Sequence, residues 1–368
     1  MAHGSGRLVC LLPFCVNPDL INMRSWLEAT LMSAWRRRGL LAWLLRPLSL
    51  LFQWLVARRR QRLTAAGAQI CLPVPVIVVG NIFIGGTGKT PLVIWLIRQL
   101  QAAGWHPAVV SRAYGTRTDE ARIVTPDMAV TDSGDEPLLI ARRTACPVAV
   151  GRDRLAAAHL ALERFPQTDV LIADDGLQHY ALARDVEIML FDQRGIGNGW
   201  MLPAGPLRET PERERDFTLF NLAPGQTQPA VPLMGSRVFQ MHLQPGAIYA
   251  LTDASQQRAL SSLAGNTVTA AAGIGHPERF FQMLRNSGLS IQPLPLSDHH
   301  AFSEQTFDMV QTDFILITEK DAVKCRQIAT LKDDRRIWVV PVDARIDTAF
   351  AEELLTLISE KRHGRSPA

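Results

Sequence analysis

Residues 76–97 read VIVVGNIFIGGTGKTPLVIWLI. The first five are uncharged and mostly β-branched, the composition of a strand buried on both faces. A loop with three glycines follows, then Lys89, Thr90 and Pro91, then an apolar run of helical character. Strand, glycine loop and helix in that order are the setting in which backbone amides wrap a nucleotide phosphate. Against the strict pattern GxxxxGK[ST], Gly88, Lys89 and Thr90 match, and Phe83 stands at the first glycine. Gly85 and Gly86 supply the missing backbone freedom. The expected cradle is therefore Gly85, Gly86, Thr87, Gly88, Lys89 and Thr90. Lys89 would bridge the β- and γ-phosphates, and the Thr90 hydroxyl would ligate Mg2+.

A magnesium nucleotide needs carboxylates at the end of a neighbouring strand. The stretch TDVLIADDGLQHY (168–180) reads as a buried parallel strand ending in Asp174 and Asp175, where an open α/β sheet places its ligands. A further strand, EIMLFD (187–192), runs into the loop QRGIGNGWMLPAGPLRE (193–209), whose Arg194 and Arg208 could neutralise a transferring phosphoryl group. SGDEPLLIAR (133–142) sets Asp135 and Glu136 at a helix start, and PLSDHHAFS (295–303) brings together Asp298, His299 and His300.

Strands are expected at 75–80, 107–111, 147–150, 170–174, 187–192 and 216–221, with helices between most of them: a P-loop NTPase-like, doubly wound, mostly parallel sheet. The proline- and glycine-rich stretch 221–235 reads as a hinge. Beyond it, strands at 247–251, 267–271, 313–317 and 337–342 alternate with helices and predict a second, smaller α/β domain. The expected division is an N-terminal extension of uncertain standing over 1–22, a membrane-associating helical segment over 23–62, a P-loop core over 63–222 and the smaller domain over 236–361.

The chain has 368 residues, 47% of them hydrophobic and 20% charged, which fits two globular domains and excludes a disordered chain. Its five cysteines are scattered without a CxxC pair, which argues against a disulfide framework or a zinc site. The net charge is only +4, yet nine arginines and a single acid, Glu28, lie between Met23 and Arg62. Within that basic region, GLLAWLLRPLSLLFQWLVA (39–57) is long enough to span a bilayer. Arg46 in its middle would cost about 2.5–3.5 kcal/mol there. Helical spacing aligns Ala42, Arg46, Ser49 and Gln53 on one stripe amid leucine and tryptophan, which predicts a helix lying in the membrane interface with its arginines on lipid phosphates.

Taken together, VGNIFIGGTGKTP, SRAYG, GDEP, DDGLQH, RGIGNGWMLPAGPLRE, GIGHPERFF, SDHHAF and TEKDAVK, in this order from Val79 to Lys324, resemble the tetraacyldisaccharide 4'-kinase family. The resemblance covers nearly the whole chain after Met23. Departures are Ala113 in SRAYG, His276 in GIGHP and the 22-residue extension, which has no counterpart. The resemblance implies transfer of the γ-phosphoryl of ATP, with Mg2+, to the 4'-hydroxyl of a lipid A disaccharide 1-phosphate. It implies a peripheral enzyme on the inner-membrane lipid surface, at its cytoplasmic face, working as a monomer without nucleic acid. Lys89 and Thr90 then match the loop lysine and threonine, Asp135 the carboxylate that assists deprotonation, and His299 its partner, with His300 an alternative. Asp174 and Asp175 match the acids near magnesium, and Arg208 and Glu209 the pair closing on the phosphates and metal.

A rival reading is a SIMIBI-type GTPase switch or metallochaperone, whose phosphate loops also carry a double glycine. It wants a guanine-reading NKxD, and TEKD (318–321) offers only Lys320 and Asp321 of it.

Overall fold

A computed structural model describes residues 31, 33–65, 67–112 and 119–363. The expected extension 1–22, the start of the basic segment and Ala113 of SRAYG lie outside the described residues. The first long element, helix α1 (Leu40–Thr64), runs unbroken through Pro47. Then come β1 (Val76–Gly80), α2 (Lys89–Ala102), β2 (Pro107–Ser111), β3 (Arg122–Ile123), α3 (Asp135–Thr144), β4 (Val148–Val150), α4 (Arg154–Arg164), β5 (Val170–Asp174), β6 (Val186–Asp192) and β7 (Phe217–Asn221). The chain continues through β8 (Arg237–Pro245), β9 (Ile248–Ala250), β10 (Gln257–Arg258), β11 (Thr267–Ala272), α5 (Pro277–Asn286), β12 (Ser290–Pro295), β13 (Ile315–Thr318), α6 (Glu319–Cys325), β14 (Ile337–Val340), β15 (Val342–Ile346) and α7 (Thr348–His363).

Nine strands form one sheet in the order β15-β8-β7-β6-β1-β5-β2-β4-β3. Only its two edge pairings, β15 with β8 and β3 with β4, are antiparallel. The inner strands are mostly apolar runs because helices cover both faces: every residue of β1, β2, β5, β6 and β7 is buried, the acids Asp174, Glu187 and Asp192 among them. Burying one Ile or Val in such a layer contributes about 1.5–3 kcal/mol. Parallel register sets the functional edge. Val79 lies opposite Asp174, and Asp192 opposite Asn221, so the chain leaves β1, β5, β6 and β7 side by side at their carboxyl ends.

The second sheet, β10-β9-β14-β13-β11-β12, is an insertion between β8 and β15. Here the structure differs from the expected 63–222 and 236–361 division. β8 and β15 pair with each other in the large sheet, and α7 packs Phe350 against Trp95 of α2 in the same core. The stretch 221–235 joins two neighbouring strands of one sheet and so cannot be the connection between lobes. The chain crosses at Gly246 and returns at Pro341, where the Gly246 amide donates to the Pro341 carbonyl at 2.9 Å.

Helix α1 leaves an apolar face free for a membrane interface, but the stripe carrying Arg46 is directed elsewhere than expected. Its small and polar stripe faces the protein: Ala42 and Ser49 are buried, and Ser49 Oγ donates to the Met201 carbonyl at 2.8 Å. Arg38 and Arg46 stack over Trp200. The apolar side is left outward, with Leu40 79%, Leu44 68% and Trp43 58% exposed.

Candidate active site

The loop after β1 is held from within. Asn81, one residue beyond the strand, donates from its amide to the carbonyls of Phe83 and Gly85. Its carbonyl oxygen accepts from Lys89 Nζ at 2.7 Å and Arg208 Nη2 at 3.0 Å. Gly88 caps α2 at φ 97°, a left-handed conformation that strains other residues. A Cβ at position 88 would also run into the Asn221 amide, which donates to the Thr87 carbonyl at 2.8 Å. Only glycine fits there. Because α2 starts at Lys89, its unpaired amides and the positive end of its dipole face the loop Gly85–Gly86–Thr87–Gly88. The Thr87 hydroxyl is buried without a hydrogen-bond partner, as it would be in a cradle built for a ligand.

The two strand-end acids separate in character. Asp174 is buried, accepts from Ser111 Oγ at 3.1 Å through Oδ2, and has no partner at Oδ1. Burial, reinforced by the negative charge of Glu136, pushes its carboxyl up to about 7. Asp175, at φ 47°, stands 3.4 Å from Lys89 and 3.1 Å from Arg208. Burial raises its carboxyl too, but those two cations more than offset it and bring it to about 2. Arg154, buried at the start of α4, donates to the Asp175 carbonyl at 2.8 Å and to that of Asp174 at 3.4 Å, fixing this turn. The orphaned buried Asp174 oxygen, the neighbouring Asp175 carboxylate and the hydroxyl of Thr90 in the first turn of α2 are hard-oxygen donors of the kind that fit Mg2+. Among the described residues no group of three or more His, Cys, Asp or Glu could hold a metal alone.

Asp135 opens α3 after Gly134, which sits at φ 81°. Its Oδ1 accepts from the Glu136 amide at 3.0 Å, and its Oδ2 lies 3.0 Å from His299 Nδ1. Lys320 and Lys324 of α6 each place Nζ 3.9 Å from the same Oδ2. Burial favours the neutral acid, but the His299 hydrogen bond and the two lysines outweigh it and hold Asp135 below the usual carboxylate range. His299 is raised in turn, first by its bond to Asp135. The structure thus brings together the two residues expected to pair, and it selects His299 over His300. The His300 ring packs edge-on against Phe302, 5.1 Å between centroids. Like Asp175, His299 is non-glycine at positive φ (55°), and such strain concentrates at functional positions.

Asp135 and His299 come from different lobes, and the second lobe also reaches the phosphate loop. A Cβ on Gly275 would sit 3.3 Å from the Gly86 amide nitrogen and 3.1 Å from Asp298 Oδ2. Arg194 donates to the Gly86 carbonyl at 2.8 Å and is gripped by Asp192, which also takes Arg279 of α5 at 3.3 Å. Asn81, Asn221, Arg154 and Arg279 were not singled out from sequence, and Lys320 was read only as part of TEKD, not as a partner of Asp135. Asn81 and Asn221 had a readable signal, a polar residue at the carboxyl end of a buried strand.

Two expected roles read differently in three dimensions. Glu209 is 3% exposed, and its oxygens accept from Gln178 at 2.7 Å and from Arg213. It braces the segment carrying Arg208 rather than opening toward the loop. Asp321 of TEKD is fully buried and accepts from the Gly273 amide at 3.0 Å and Thr318 Oγ1 at 2.8 Å. Both bonds go to Oδ2, and Oδ1 lies 3.4 Å from Lys324 Nζ, so the carboxylate is enclosed within its own fold rather than presented to a guanine base.

The sequence matches the family model for tetraacyldisaccharide-1-P 4'-kinase over residues 41–359. It is 54% identical over 360 residues to the tetraacyldisaccharide 4'-kinase of Herminiimonas arsenicoxydans, covering 94% of this chain and 98% of that one. It is 52% identical to that of Janthinobacterium sp. (strain Marseille), covering 94% and 99%. Its fold is similar to the crystal structure of LpxK from Aquifex aeolicus in complex with ATP, with TM-score 0.72 and 28% identity over 87% of this chain and 99% of that chain.

Proposed function

Since the chain belongs to the tetraacyldisaccharide 4'-kinase family, it is an ATP-dependent lipid A 4'-kinase, and we propose how its own residues divide that work. The loop from Gly85 to Thr90 cradles the phosphates through its amides, and Lys89 and Arg208 leave Asn81 and Asp175 to neutralise the γ-phosphoryl group. Thr90, Asp174 and Asp175 would hold Mg2+, which would supply charge neutralisation to the nucleotide phosphates. Glu209, through Arg213 and Gln178, keeps the segment bearing Arg208 in place.

The acceptor 4'-oxygen attacks the γ-phosphorus, the bond from that phosphorus to the β,γ-bridging oxygen breaks, and ADP departs. The hydroxyl proton passes to the Asp135–His299 pair. Asp135 orients the hydroxyl, and His299 holds the carboxylate in register. A carboxylate kept below its usual range is a weak base. It suits a loose transition state, in which the proton leaves late.

The observation that supports this reading is the close approach of the second lobe to the phosphate loop, where a Cβ on Gly275 would lie 3.3 Å from the Gly86 amide nitrogen and 3.1 Å from Oδ2 of Asp298, the neighbour of His299. The test is ATP-dependent phosphorylation of tetraacyldisaccharide 1-phosphate in detergent micelles, with GTP as a comparison. Absence of 4'-phosphorylated product would refute it.

The outward leucines and tryptophans of α1 support a further part of the proposal: a monomer resting peripherally on the inner-membrane lipid surface, at its cytoplasmic face. Acyl chains of the acceptor stay in lipid while the sugar headgroup enters the cleft.

A further inference from the structure

Asp135 Oδ2 receives more than the histidine. Lys320 and Lys324, one turn apart on α6, approach it together, and both are largely buried. Lys320 also pairs with Glu136 at 2.9 Å, and Lys324 with Asp321 at 3.4 Å, so each ammonium is held between two acids. Along the same face of the α3–α6 contact, Arg143 of α3 grips Glu319 and Asp343. Every charged contact in this seam crosses between the lobes or braces one that does. The helix that presents Asp135 is thus pinned to the helix that follows β13 in the other sheet.

We propose that Lys320 and Lys324 are positioning residues for Asp135, fixing its carboxylate in its charged form and aimed into the cleft only while the two lobes are docked. This rests on the role given to Asp135 above. Each lysine stands within the range at which an opposite charge favours an ionised carboxylate. The other charges facing Asp135 are His299 on the loop after β12, Asp298 beside it and Glu136 on its own helix. Asp298 stands against His299 and Glu136 against Lys320, so both acids reach Asp135 through its cationic partners. With the lysines removed, burial would oppose the charge, and His299 alone would sustain it.

The test is a pH–rate profile of Lys320→Met, Lys324→Met and the corresponding arginine variants, with KM for ATP and thermal stability recorded for each. A Lys320→Met, Glu136→Gln double variant removes the acid that Lys320 would leave unpaired. The proposal expects the acid limb of kcat to move to higher pH in both methionine variants and in the double variant. It expects a loss on the order of tenfold at the acid end, the size of one charge-assisted contact. KM for ATP should hold, and arginine should restore the limb. A raised KM for ATP with the limb in place would assign the lysines to the nucleotide and overturn the proposal. An unmoved limb with only a lower melting temperature would make them structural and overturn it as well. Asp135→Ala separates the two levels: an active Asp135→Ala enzyme refutes the role of Asp135, whereas an inactive one with unmoved lysine profiles refutes this inference alone.

Discussion

If Asp135 and His299 act as one unit, removing either should remove most of what both supply. At 3.0 Å the two unit charges would attract by about 5.5 kcal/mol with an effective dielectric constant near 20, an upper bound since desolvation opposes it. A hydrogen bond to a charged group nets roughly 1.5–3 kcal/mol, so losing His299 should lower kcat about 10- to 100-fold. Losing Asp135 removes the proton acceptor itself and should cost about 10²- to 10⁴-fold. The choice of substitution matters because His299 sits at φ 55°. Alanine would add backbone strain of about 1–2 kcal/mol, while asparagine tolerates that conformation, so His299→Asn is the cleaner variant. Initial rates of ATP-dependent lipid phosphorylation in micelles, with kcat and KM separated, give the cycle. The double variant should be little slower than Asp135→Ala, and His300→Ala should stay near wild type. Losses that multiply would mean two independent roles and refute the paired reading.

Lys89→Ala removes the cation on the transferring group and should lower kcat by at least about 10²-fold; retention of more than about a tenth of the activity would contradict the phosphate-loop role. Asp174 is raised to about 7 in the folded chain, so between its ordinary value and about 7 the folded state binds a proton the unfolded state has lost, and stability falls as pH rises through that window. Asp174→Asn should lose less stability than wild type across the same window by thermal melts, and parallel curves would contradict the assignment. Leu44→Asp with Leu48→Asp on the outward face of α1 should release the protein from anionic vesicles without changing its melting temperature. High salt should release the parent protein only in part, since an apolar face is not screened; unchanged vesicle binding by the variant would place the anchor elsewhere.

The inner strands were legible because a strand covered on both faces has to be an unbroken apolar run, and VIVVG and VLIAD are such runs. β8 was not. Its residues RVFQMHLQP mix polar and apolar, and it is partly exposed near the sheet's edge. It pairs with β7 on one side, but its other partner is β15, about a hundred residues later, and no local pattern encodes that partner. The same limit hid the lysines. Lys320 and Lys324 look like the solvent face of a short helix until α6 is docked on α3. For α1, helical spacing identified the stripe of Ala42, Arg46 and Ser49 but not its direction. Direction depends on the receiving surface, and here Trp200 and Ala204 offer an apolar seat, with the Met201 carbonyl accepting from both the Gly205 amide and Ser49.

The position of the insertion ties these observations together. A lobe that leaves after β8 and returns before β15 is joined to the rest at one place, where Gly246 and Pro341 lie side by side. His299, Lys320, Lys324, Arg279 and Gly275 all belong to that lobe, whereas Lys89, Asp135, Asp175, Arg194 and Arg208 belong to the other. Each lobe by itself carries an incomplete charge set: the large lobe has a buried carboxylate at Asp135 with its compensating cations elsewhere, and the small lobe has two buried ammoniums facing outward from α6. Separating them would break the contacts of Asp135 with Lys320, Lys324 and His299 and return these groups to water, with Lys324 still paired to Asp321 of its own lobe. The electrostatics that prepare Asp135 for the acceptor are therefore the same contacts that close the cleft. Because nucleotide and acceptor must both enter, closure and the readiness of the carboxylate come as one event.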